Sequence, residues 1–133
     1  VIGLDVPIEY MGINEKGEMA VPDGKTRNVG WYKDGTVPGN TGSAVFAAHV
    51  YAAFSKLKDV PLGSDIYVVR SDGTKLLFRA GEAKTHWLNQ MSAEDLFNRN
   101  DAKRLNLITC AGTYIKELDT YDRRLVIYAT LVE

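Results

Sequence analysis

Twelve glycines and four prolines are spread along this chain and cut it into short pieces. The turn signals "EKGE", "PDGK", "KDGTVPGNTG", "PLGSD" and "SDGT" fall between runs rich in Val, Ile, Tyr, Phe and Thr. Such runs bury one side chain in two and read as strands. The rhythm predicts an all-β chain with strands over 4–8, 17–21, 43–49, 65–70, 75–84, 104–110 and 123–132. Helix signals are confined to 51–57 and 92–100, the second opened by Ser92 with Asp95 three residues on, as in a capping box. Seven or more strands in a chain of this length make one domain, residues 1–133. A closed β-barrel of about eight strands, with one or two short helices, is the economical way to leave no sheet edge exposed.

Several function classes drop out on composition. A formal net charge of -1 gives no electrostatic reason to expect nucleic acid. The longest apolar stretch, 43–54, is too short to span a bilayer and is interrupted by His49. Because the chain starts at Val1 and opens almost directly into strand-like sequence, a signal or membrane anchor is expected upstream of it. The single cysteine, Cys110, excludes an internal disulfide and a Cys-rich zinc site. "SAEDLFNRND" is acidic, but its spacing matches no standard calcium loop and reads as a solvated helix. Nothing in the chain calls for a metal or cofactor.

Cys110 closes the apolar run "RLNLITC", and "RRLVIYATLV" follows after twelve residues. An antiparallel hairpin of these two strands, with 110 opposite 124, puts Asn106, Ile108 and Cys110 on one face with Arg124, Val126 and Tyr128. Leu105, Leu107, Leu125, Ile127 and Leu131 take the other face, which reads as core. The first face mixes polar groups into apolar surroundings, as a cleft does. A guanidinium beside a thiol favours the thiolate, the nucleophilic form. The proton partner must be His49, at the end of "SAVFAAH", or His86, at the end of "GEAKTH". Position favours His49 slightly, and spacing alone does not decide. Taken singly, a strand cysteine is usually inert packing, a histidine beside apolar residues usually structural, and an arginine at a strand start usually solvated. Trp31 and Tyr32 read as core.

In order and separation, "AVFAAH", "LITC" and the Arg of "RRLVIYA" resemble the sortase family. "GEMAVPDG", "VGWYKDGTVPGNTGSAVFAAHV", "FSKLKDVPLGSDIYV", "LFNRNDAKRLNLITCAG" and "TYDRRLVIYATLV" extend the likeness along nearly the whole chain, most of all to class F, with classes D and E close behind. Asn106 stands where the family usually has the first threonine of Thr-Leu-x-Thr-Cys, and Ala48 where a glycine often precedes the histidine.

The resemblance implies a β-barrel cysteine transpeptidase at the outer face of a Gram-positive-type membrane, anchored by a segment upstream. Such enzymes cut a Leu-Pro-any-Thr-Gly-like C-terminal sorting signal after Thr and pass the acyl group to an amine of the wall or a pilin. The family's histidine, cysteine and arginine fall on His49, Cys110 and Arg124; Arg123 competes for the last role, and the spacing to "VIYA" selects Arg124. Ala47 and Thr109 match positions that line the peptide groove in relatives. For an ordinary thiol and imidazole the thiolate–imidazolium pair is about 1% as populated as the neutral pair, so a slow enzyme is expected. A thiol hydrolase using the same residues with water as acceptor, and a non-catalytic cell-surface β-barrel with an inert Cys110, are the rival readings.

Overall fold

A computed structural model of the protein describes residues 8–11, 29–32, 38–40, 42–48, 54, 57–70, 72–87, 103–117 and 120–132. Their regular structure is almost entirely strand: β1 (Ile8–Met11), β2 (Val29–Tyr32), β3 (Gly42–Ala47), β4 (Asp65–Val69), β5 (Lys75–Trp87), β6 (Lys103–Ile115) and β7 (Thr120–Leu131). One turn of 3₁₀ helix, Leu57–Asp59, precedes β4. The strands form one sheet in the order β1-β2-β3-β6-β7-β5-β4. The pairs β1–β2 and β3–β6 are parallel, and every other neighbouring pair is antiparallel. The all-β class holds, with seven strands described where about eight were expected.

One hydrophobic cluster draws on both flanks of this sheet. Val29 of β2, Phe46 of β3, Leu105 and Leu107 of β6, Ile127 of β7, Phe78 of β5 and Val68 of β4 belong to it together. The sheet is curled into a half-barrel rather than flat, as the cumulative twist of so many strands favours. Phe54 and Leu57 close over the same core from the segment after β3. Trp31 packs against it half-buried, in keeping with its reading as core.

Strand bounds differ from the sequence expectation in instructive ways. The expected strand over 17–21 and the helix over 92–100 lie outside the described residues, as does most of 51–57. The twelve residues after Cys110, expected to form a loop, instead carry β6 on to Ile115 and start β7 at Thr120. Cross-strand contact explains the extension. Tyr114 and Tyr121 meet edge-to-face at 5.6 Å, a pairing that holds a ribbon together beyond the core. β5 likewise runs to Trp87 because, past a bulge at Gly81, β7 supplies a partner for each residue from Glu82 to Trp87, the last opposite Arg123. At the β4–β5 turn, the Thr74 amide donates to Asp72 Oδ1 at 2.9 Å. That hydrogen bond holds the Asp72 carboxyl below its ordinary range.

Candidate active site

The register of β6 and β7 pairs Cys110 with Arg124, Ile108 with Val126 and Asn106 with Tyr128. Leu105, Leu107 and Ile127 go to the core cluster, with Leu125 and Leu131 packed against it. Alternation therefore sends Cys110 and Arg124 to the opposite face, where directly opposed Cβ atoms lie about 5 Å apart. Both residues are half-buried, so the thiol is neither sealed into the core nor fully in solvent. Arg124 turns one arm back on its own strand: Nη1 donates to the carbonyls of Tyr121 at 3.0 Å and Arg123 at 2.9 Å. Arg123 faces the other way, with its guanidinium over the Trp87 ring at 4.1 Å.

β3 supplies the neighbouring wall. Its parallel ladder to β6 sets Val45 beside Asn106 and Ala47 beside Ile108, on the face that carries Cys110. Ala47 is buried there. Thr109, expected to line the groove with it, points through to the other side. Its hydroxyl is buried and donates to the Ala48 carbonyl at 2.8 Å, while the Ala48 amide reaches the Ile108 carbonyl at 3.4 Å. The two bonds tie the end of β3 to the strand carrying Cys110. His49 is the next residue in the chain and lies outside the described residues.

His86 occupies a place the sequence did not make evident. β5 pairs it with Arg124, so Cys110, Arg124 and His86 form one row across three strands. Two strand spacings, about 10 Å, separate the His86 backbone from that of Cys110. The His86 ring leans along the sheet, with Nε2 3.0 Å from Tyr128 Oη. This geometry engages the ring away from the thiol. No group of three or more His, Cys, Asp or Glu residues gathers into a metal site among the described residues. Nor is any helix among them long and apolar enough to cross a membrane.

A family model for the sortase domain matches residues 2–132. The chain belongs to the sortase family. Solved sortases share its fold. The sortase D5 transpeptidase of Clostridium perfringens is 17% identical, with a TM-score of 0.66 over 80% of this chain and 62% of that one. Sortase C1 of Streptococcus agalactiae is 24% identical, with a TM-score of 0.64 over 79% of this chain and 53% of that one. Sortase C2 from pilus island 1 of group B Streptococcus is 21% identical, with a TM-score of 0.70 over 99% and 69%. No curated protein sequence gives a significant match. This sortase domain thus spans 62% and 53% of the first two solved chains, and identities this low speak to fold rather than to class.

Proposed function

We propose that this sortase is a cysteine transpeptidase, with Cys110 as nucleophile, His49 as proton shuttle and Arg124 as oxyanion or peptide-backbone donor. The observation that carries the reading is the direct pairing of Cys110 with Arg124 on the face turned away from the core. The sulfur attacks the carbonyl carbon of Thr in a Leu-Pro-any-Thr-Gly-like signal, and negative charge builds on the carbonyl oxygen, where a guanidinium stabilises it. The C–N bond to Gly then breaks, the leaving amine takes a proton from His49, and a thioester remains on Cys110. An incoming amine of the wall or a pilin gives a proton to His49 as it attacks the thioester, and the thiolate departs. Ala47 supports this reading as a small groove-lining residue, and Thr109 as the residue that holds the strand end before His49. The enzyme's place of action is the outer face of a Gram-positive-type cell membrane, where sorting signals of exported proteins are exposed.

A panel of sorting-signal peptides, incubated with and without amine acceptors and read by mass, tests the reading. An amine-capped product whose yield follows acceptor concentration supports transpeptidation. Cleavage to the free acid alone, whatever the acceptor, supports the thiol hydrolase instead. No cleavage of any peptide removes the enzyme reading.

A further inference from the structure

The β6–β7 ladder breaks one step beyond the Cys110–Arg124 pair. Ala111 faces Arg123, and the next regular pair is Tyr114 with Tyr121. Gly112 and Thr113 therefore share a single opposite number, Asp122, which is a β-bulge. Gly112 has φ of 81°, a left-handed conformation that glycine enters without steric cost. A Cβ there would run into Asp122 Oδ1 and sit 3.0 Å from Arg123 Cγ. The extra residue takes the Thr113 amide out of the regular ladder, and Asp122 Oδ1 accepts from it at 2.9 Å. Arg123 Nε lies 3.9 Å from the same oxygen, too far for a hydrogen bond, so Thr113 holds that acceptor.

The two carbonyls bonded to Arg124 Nη1 belong to Tyr121 and Arg123, the residues on either side of Asp122. One side chain thus fixes the short run of β7 against which the arginine is braced. We propose that Asp122 and Gly112 form a bulge clamp that positions the Arg124 guanidinium for the reaction at Cys110, an inference that rests on the catalytic reading of that pair. Without the carboxylate, the Thr113 amide loses its partner and the bulge is free to migrate along the ladder. A one-residue slip reverses which face each side chain takes and moves both carbonyls away from Arg124. Asp122 is a positioning residue, acting through Arg124 and not on the substrate.

The test compares Asp122→Asn, Asp122→Ala, Asp122→Glu and Gly112→Ala in the whole chain, by peptide turnover with an amine acceptor, melting temperature and exchange of the Thr113 amide. Asn keeps an oxygen where the clamp needs one and should retain most of the rate. Ala, and Glu with its displaced oxygen, should lower kcat about 10-fold with KM nearly unchanged, the pattern of a misplaced transition-state group. Gly112→Ala should behave as Asp122→Ala does, and both should speed exchange at Thr113. In an Arg124→Ala background, Asp122→Ala should cost nothing further in the acylation rate. Asn as slow as Ala, an undiminished kcat in Asp122→Ala, or an Asp122→Ala penalty that persists without Arg124 overturns the clamp. Should Asp122→Ala lose its melting transition, the ranking of Asn above Glu decides alone. An Arg124→Ala variant as fast as the parent would instead sink the catalytic reading of Arg124 itself, a separate outcome.

Discussion

Two adjacent arginines on β7 face opposite sides of the sheet, and their variants separate the roles. Arg124→Lys keeps a positive charge but loses the planar fork and its reach, so kcat/KM should fall about 10²-fold or more, as when one oxyanion donor is removed. Arg123 stacks on Trp87 on the far face. Its alanine variant should keep the rate within a few-fold of the parent, and steady-state kinetics on one peptide compares the two. If Arg123→Ala were the crippled one, the site assignment would fall. The histidines divide similarly: His49→Ala should lose nearly all turnover, and His86→Ala should keep most of it, because the His86 ring is engaged with Tyr128. The opposite ranking would move the proton shuttle to His86. Alternation and strand spacing made the Cys110–Arg124 pairing legible from sequence alone. The row through His86 was not, since it depends on a non-local pairing of β5 with β7.

The β6–β7 hairpin shows why a glycine is a poor guide to where a strand stops. Gly112 lies in the twelve residues expected to form a loop, yet it marks a bulge, and the ladder resumes at Tyr114 and Tyr121. The signal was present in the tyrosines, but an aromatic pair counts only once the register is known. Thr109 carries the same lesson for the site. Its place beside Cys110 suggests a groove residue, whereas the strand's period of two turns it through the sheet to the Ala48 carbonyl. Thr109→Val should therefore act as a structural lesion with a catalytic echo. Loss of the bond leaves a buried carbonyl unpaired, at a cost of about 1–3 kcal/mol in a denaturant melt. Turnover should fall with it, because Ala48 directly precedes His49. A Val variant with parental stability and rate would show that the tie is dispensable.

Across the molecule, a single core under a curled sheet holds β3, β6 and β7 side by side, with Cys110 paired to Arg124 and Ala47 to Ile108. Phe78 is fully buried in that core, on β5, where it faces Leu131 of β7. Phe78→Ala should cost about 3–5 kcal/mol, read as a drop in melting temperature. A loss below about 1 kcal/mol would mean the core tolerates the cavity by collapsing. The all-β class could be read from turn spacing, because strand length and turn chemistry are local properties. The strand order could not, because β3 lies parallel to β6 although 55 residues separate their ends. Acyl transfer through Cys110 is read from the intact mass of the protein after exposure to a sorting-signal peptide without acceptor. A covalent adduct equal to the acyl portion ending in Thr is expected on Cys110, released by an added amine and absent from Cys110→Ala. Peptide cleavage that proceeds undiminished in Cys110→Ala would contradict it.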